Sequence, residues 1–283
     1  MQEITFRKKL RNIPFSLDEL SREQYLRYLR LYLMPISAEE KRRHLFCILL
    51  DLPAVFYNIF KQDIIDELDA QQSALDGFFV SDILRLDTTR QLLKEYCGWT
   101  GPGDMLDGMT FGQFISALIM QDECRRLSDD GDEAGSLECL QELTRQLYTA
   151  PSTTATTTAA AAATAAAAAA VPDGSPSVPL PDLLILHATN FFLACYQHIA
   201  TRPVHINGQD LDLSIIFRTP GGSHASNRTP DDRTGWQGLA FEIAEQGLFG
   251  TYNDLMQQPL YDVLLYLYKQ RFEQLHKTKQ RKK

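Results

Sequence analysis

The sequence predicts a mainly α protein: two helical bundles joined by a low-complexity linker, with one small β-hairpin in the C-terminal half. Apolar residues recur at helical spacing in both halves of the chain. Ser or Thr repeatedly stands three residues before Gln or Glu, a pattern that marks helix starts. A run of Thr, Ala and Pro interrupts these patterns. We therefore expect an N-terminal helical domain over 1–150, a linker over 151–181 and a C-terminal helical domain over 182–283.

The composition is that of an ordinary globular protein and argues against several classes of function. The 283 residues are 44% hydrophobic and 23% charged, enough to bury a sizeable core. The formal net charge of -8 argues against a general nucleic-acid-binding surface, which is usually basic. The five cysteines contain no CxxC pair, so we expect reduced thiols rather than a disulfide framework or a zinc pair.

Helix-start motifs place the first helices of the N-terminal half. Ser21 and Gln24 form a capping box, in which each side chain bonds a free backbone N–H group at the helix start. The helix that follows carries an aromatic face. Ser37 and Glu40 form a second box, which opens a helix that ends near residue 50.

The other elements of this half follow from apolar spacing and from Pro and Gly positions. Thr110 and Gln113 form a third capping box. We interpret the acidic residues 129–133 as a solvated connection, because they lack the ligand spacing of a calcium loop. Further elements are expected as a strand over 3–6, helices over 54–60 and 63–79, and a last helix over 137–147.

In the C-terminal half, the apolar residues 182–200 predict a buried helix rather than a membrane span, because polar side chains interrupt them. Asn207-Gly208 between alternating residues predicts a β-hairpin over 203–217. A fourth capping box, Thr234 with Gln237, opens a helix that Gly247 ends. Pro259 begins the last helix.

No catalytic, cofactor-binding or metal-binding constellation stands out in the sequence. His187, Cys195, His198 and His205 could be considered as zinc ligands, but apolar neighbours favour core histidines. The glycine-rich loop over 218–235 lacks the Lys-Ser/Thr pair of a phosphate-binding loop and offers no paired nucleophile and base. We therefore expect a protein that is not an enzyme and needs no cofactor.

The last helix carries the most informative pattern. A heptad seam, spaced alternately by four and three residues, runs along it. A second apolar stripe extends only from Leu260 to Leu267. One interpretation is a core helix whose end frays into solvent. The more specific interpretation is that the end of the helix packs against another chain. If the helix binds another chain, the candidate partner-binding residues are Tyr261, Leu265, Tyr268, Phe272 and Leu275.

Three segments together resemble a known class of proteins. They are IPFSLDELSREQYLRYLRLYL near the N-terminus, MTFGQFISA before the linker and GWQGLAFEIAEQGLFGTYNDLMQQPLYDVLLYLYKQR at the end. These segments resemble tail-module proteins of tailed phages and prophages of anaerobic gut bacteria, of the tail-assembly-chaperone-like kind. The matching residues are packing motifs, so the resemblance supplies no catalytic residues.

The resemblance implies a morphogenesis protein in the cytoplasm of the host cell. Its partner would be a phage tail subunit, a tape-measure or tail-tube protein, with no small-molecule substrate and no membrane. The alternative is a structural or connector component of the virion that self-associates through its C-terminal helix. The basic tail leaves a nucleic-acid contact open, but we favour a role in helix termination and solubility.

Overall fold

The computed structural model describes residues 2–6, 9–53, 62, 66, 72–151, 179–206, 208–217 and 235–281. Within these residues the protein is mainly α, with small antiparallel strand pairs, as predicted. The helix expected over 54–60, most of the linker, the loop up to residue 234 and the cap at Thr234 lie outside the described residues.

The described elements follow one another along the chain as short hairpins and longer helices. The strands are β1 (Gln2–Phe6), β2 (Lys9–Ile13), β3 (Phe79–Val80), β4 (Ile83–Leu84), β5 (Glu95–Tyr96), β6 (Trp99–Thr100), β7 (Val204–Ile206) and β8 (Gln209–Leu211). The helices are α1 (Arg22–Leu33), α2 (Ala38–Leu49), α3 (Phe111–Asp129), α4 (Glu133–Leu147), α5 (Asp182–Thr201), α6 (Ser214–Phe217), α7 (Gly235–Glu245), α8 (Tyr252–Met256) and α9 (Leu260–Arg281).

Local side-chain caps begin the helices where the sequence predicted them. Ser21 and Gln24 form the complete capping box of α1, and Thr110 and Gln113 form that of α3. At α2, Ser37 accepts a hydrogen bond from the Glu40 backbone N–H group. Each cap satisfies backbone donors that have no partner within the helix, so each fixes the residue at which the helix starts.

The helix predicted over 63–79 is wrong at its C-terminal end. Gln72–Phe78 is a 3-10 helix, and β3 begins at Phe79 and pairs with β4. The Phe78 carbonyl accepts a hydrogen bond from the Arg85 N–H group across the hairpin, at 2.9 Å. Phe79 pairs with Leu84 as a strand residue, so the helical backbone ends at Phe78.

The predicted hairpin in the C-terminal half is present but shorter than expected. β7 pairs with β8 around residues 207–208, and pairing ends at Leu211. The residues expected to alternate up to Phe217 instead form the single turn α6. Asp212 explains the change, because its carboxylate accepts hydrogen bonds from both the N–H group and the hydroxyl of Ser214 and so starts that turn.

The chain divides into two compact units that interleave along the sequence. Unit 1 comprises 1–93 and 186–196, and unit 2 comprises 94–185 and 197–283. Main-chain hydrogen bonds join the start of α3 to the start of α9 within unit 2. The division into an N-terminal domain over 1–150, a linker over 151–181 and a C-terminal domain over 182–283 stays a prediction.

α5 is the one helix, among the described residues, long and apolar enough to cross a membrane. Half of its apolar window is buried inside the fold. The core helix of a water-soluble protein passes the same test, so the length and composition of α5 are weak evidence for a span.

Candidate protein-binding surface

The start of α9 is fastened to the start of α3 by main-chain hydrogen bonds. Phe111 donates its N–H group to the Gln258 carbonyl, and Leu260 donates to the Met109 carbonyl, both at 2.9 Å. The Tyr261 hydroxyl donates to the Met105 carbonyl at 2.6 Å. These bonds hold the first turn of α9 at a defined place in unit 2.

The first half of α9 is also held by burial. One apolar stripe of the helix is covered by the rest of unit 2, as the second stripe in the sequence predicted. Its members, none more than 6% exposed, are Leu260, Val263, Leu264 and Leu267. Burying side chains of this size stabilises a fold by about 1.5–3 kcal/mol each, so this stripe is the main anchor of the helix.

The five predicted partner-binding residues divide into two groups. Tyr261, Leu265 and Tyr268 are partly buried within unit 2. Phe272 and Leu275 are 46% and 41% exposed. The structure therefore places the open part of the seam in the second half of α9, beyond the buried stripe.

The exposed aromatic ring of Phe272 lies in a short row of rings on α9. Its centroid is 6.0 Å from that of Tyr268 and 4.3 Å from that of His276, each one turn away. Contacts between side chains one turn apart restrict rotamers without covering the outer face of the ring. Phe272 is thus pre-positioned, and a partner would meet an ordered apolar side chain.

A polar contact on another side of α9 escaped the sequence analysis. The Tyr266 hydroxyl donates to the Gln246 side-chain oxygen at 2.5 Å, and the Gln270 amide donates to the same oxygen at 2.8 Å. The Phe249 ring meets the Tyr266 ring edge-on at 5.3 Å. These contacts brace the middle of α9 against the segment after α7, and they leave Phe272 and Leu275 uncovered.

Other large apolar side chains are also exposed and were not predicted. In unit 2, Phe241 is 55% and Leu248 is 61% exposed. In unit 1, the cross-strand pair of the β3–β4 hairpin is open, with Val80 at 60% and Ile83 at 67%. Strands of two residues are too short for alternation to show in a sequence, so no signal identified this pair.

The zinc candidates do not come together in the structure. His187 is fully buried in unit 1, with Nδ1 2.9 Å from the Tyr25 hydroxyl and Nε2 2.6 Å from the Gln91 side-chain oxygen. His205 is exposed and lies 2.8 Å from the Asp210 carboxylate. In the part of the chain that the structure describes, no three His, Cys, Asp or Glu side chains form a group that could hold a metal ion.

The bonding around His187 defines its protonation. Burial lowers the pKa of His187 to about 3, so the ring is neutral at physiological pH. The Gln91 oxygen also accepts from the Leu93 N–H group, which fixes it as an acceptor, so His187 Nε2 carries the proton. Nδ1 therefore accepts from the Tyr25 hydroxyl. The cluster is a structural link in the core of unit 1.

Two cysteine thiols, those of Cys47 and Cys139, are less acidic than a free thiol. Burial raises the pKa of Cys47 to about 11, and desolvation also raises the pKa of Cys139. A raised pKa keeps a thiol protonated, and the thiolate is the reactive form. Neither Cys47 nor Cys139 has the lowered pKa of a catalytic cysteine.

Comparison with known proteins identifies no relative. No family model, no curated protein and no solved structure matches the chain.

Proposed function

We propose that this protein is a non-enzymatic phage tail morphogenesis protein, tail-assembly-chaperone-like, that binds a tape-measure or tail-tube subunit through the second half of α9. We define the exposed end of α9 as residues 269–276, with Phe272 and Leu275 as its apolar centre. Two things support the proposal: the resemblance of three sequence segments to phage tail-module proteins, and one structural observation. That observation is a helix anchored in the core over one half and open over the other.

The anchoring gives the exposed end its rigidity. The main-chain bonds at Leu260 and the buried stripe up to Leu267 fix where the helix points. A partner that docks on Phe272 and Leu275 therefore pays little ordering entropy, which raises the affinity available from a small contact.

The apolar centre has the chemistry of a helix-in-groove contact. An amphipathic helix offers anchors at spacings of three and four residues to an apolar groove, as Tyr268, Phe272 and Leu275 are spaced. Phe272 and Leu275 are already about half covered, so completing their burial would contribute roughly 1–3 kcal/mol together. Such a contact is reversible, as a chaperone that releases its client requires.

Co-expression tests the proposal directly. The gene is co-expressed with the tape-measure and tail-tube genes of the same phage, and complexes are purified through a tag on this protein. We expect one of these two subunits to co-purify and to remain soluble. A tag that captures neither subunit, from cells in which both are made, contradicts the proposed function.

A second candidate is a structural or connector component of the virion that assembles through its C-terminal helix. The strongly basic charge at the end of an otherwise acidic chain favours it, because opposite charges on one chain promote self-association. Mass spectrometry of purified particles separates the two candidates. A chaperone is absent from the mature virion, whereas a connector is present.

A further inference from the structure

Unit 2 contains an acidic groove between α3 and α4. The groove has a volume of about 430 Å³. Met120 and Leu127 supply apolar lining from α3. Glu138 and Glu142 line it from α4, together with the half-exposed Cys139. A lining that combines apolar and charged side chains suits the apolar face of an amphipathic helix.

The charge around this groove is strongly negative. The segment from α3 to α4, residues 111–147, contains eight carboxylates and three arginines, a net charge of -5. Arg125, Arg126 and Arg145 each pair with a carboxylate on their own helix, and Arg145 is itself a lining residue, bonded to Glu142. Among the described residues, Glu138 makes no ion pair. The groove therefore presents carboxylates to a cationic ligand.

The sequence from the exposed end of α9 onward carries the opposite charge. Residues 269–283 contain seven lysines and arginines and one glutamate, a net charge of +6, which leaves -14 on residues 1–268. At 100° per residue, Lys269 and Arg271 flank Phe272 on its two sides. A cationic margin thus surrounds an apolar centre, the complement of the groove.

We propose that, when no client is bound, the exposed end of α9 of one copy occupies the α3–α4 groove of a second copy of this chain. This inference rests on the proposed function, since a second copy would cover the client-binding surface while no client is bound. Phe272 and Leu275 would lie against Met120 and Leu127, and Lys269 would meet Glu138. Glu138 on α4 and Lys269 on α9 are both exposed, so both surfaces are accessible to another copy.

The two surfaces are different patches of one molecule, so the contact is head-to-tail. A head-to-tail contact closes into a ring or continues as a filament, depending on the rotation between copies. Its charge complementarity makes it sensitive to ionic strength, because exposed ion pairs are screened within about 10 Å in ~0.1 M salt. A client that binds the exposed end of α9 would compete with the groove and dissociate the assembly.

Charge reversal with mixing tests the inference on the full-length chain. One variant carries Glu138→Lys with Glu142→Lys, and the other carries Lys269→Glu with Arg271→Glu. Sedimentation velocity measures association of each alone and of the two mixed. We expect wild type to associate, each variant alone to associate about a hundredfold more weakly, and the mixture to recover, because every contact in it again joins opposite charges.

The matched control places the same reversal away from the groove. Glu242 and Glu245 are exposed carboxylates on α7 of the same unit, so Glu242→Lys with Glu245→Lys should associate as wild type does. Circular dichroism confirms that all variants are folded. A monomeric wild type, an equal loss in the α7 control, or a mixture that stays dissociated would each overturn the inference.

Cross-linking identifies the surfaces that meet. Cys139 lines the groove, so Leu275→Cys in a Cys97→Ser background should yield a covalent dimer with a short bis-maleimide. Leu248→Cys, which is more exposed than Leu275, is the control and should yield none. Cross-linking that is equal at both positions contradicts the proposed docking.

The two proposals fail in different ways. If the charge-reversal mixture recovers but no tail subunit is captured by any variant, the self-association stands and the proposed function fails. If Glu138→Lys with Glu142→Lys still captures a tail subunit while wild type is monomeric without it, the proposed function stands and the head-to-tail resting state fails.

Discussion

The two halves of α9 differ both in apolar content and in burial. From Leu260 to Leu267 the helix is apolar on two sides, and one of these stripes is buried in unit 2. Around Phe272 and Leu275 only the seam continues, and these two side chains are 46% and 41% exposed. The comparison shows that the apolar seam of α9 stays exposed beyond the end of the buried stripe.

The largest expected difference between the halves is in stability. Leu264→Ala removes a fully buried side chain and leaves a cavity, so it should lower the free energy of unfolding by about 2–5 kcal/mol. Chemical denaturation measures the change. A loss below about 1 kcal/mol would show that the first half of α9 is not an anchor.

Unit 1 contains a buried polar residue, His187, whose effect on stability should depend on pH. The folded pKa of His187 is about 3, whereas the unfolded value is near 6.5, so the unfolded chain binds more protons between these values. The stabilisation that the neutral, buried His187 contributes is therefore fully present above pH 6.5 and is lost as the pH falls towards 3. We expect about 2 kcal/mol less stability at pH 5 than at pH 7, measured by chemical denaturation.

A variant that lacks only His187 isolates this effect. His187→Gln should be less stable overall but should lose most of the pH dependence between pH 7 and pH 5. His44→Asn is the comparison, because burial lowers the pKa of His44 as well and contributes in the same direction. If His187→Gln keeps the full pH dependence, the buried cluster is not its source.

The smallest expected effect on stability is at the open end. Leu275→Ala removes a side chain that is already 41% exposed, so the free energy of unfolding should change by no more than about 0.5 kcal/mol. Leu264→Ala is its matched control on the same helix. A loss at Leu275 as large as that at Leu264 would show that both halves belong to the core.

The elements that the sequence predicted well are those determined by neighbouring residues. The capping boxes at Ser21 and Thr110 act within three residues, so their sequence pattern is sufficient. The buried stripe of α9 follows from helical periodicity alone. The positive φ of Gly247 after α7, at +70°, agrees with the predicted helix end.

The features that were missed depend on contacts distant in sequence. Tyr25 and Gln91 lie 162 and 96 residues from His187, and no local pattern links them. The junction of α3 with α9 uses backbone groups, which every residue carries, so side-chain patterns cannot reveal it. The acidic groove likewise requires α3 and α4 to be packed side by side before its lining becomes visible.

The most direct test of the central claim is the double variant Phe272→Asp with Leu275→Asp. We predict that its free energy of unfolding stays within about 0.5 kcal/mol of wild type, since both side chains already face solvent, and that association with a partner is abolished. The control is Phe241→Asp with Leu248→Asp, which changes exposed apolar side chains elsewhere in unit 2 and should leave association intact. An unfolded double variant would show that this end is core, and a folded one that associates normally would contradict its role as the binding surface.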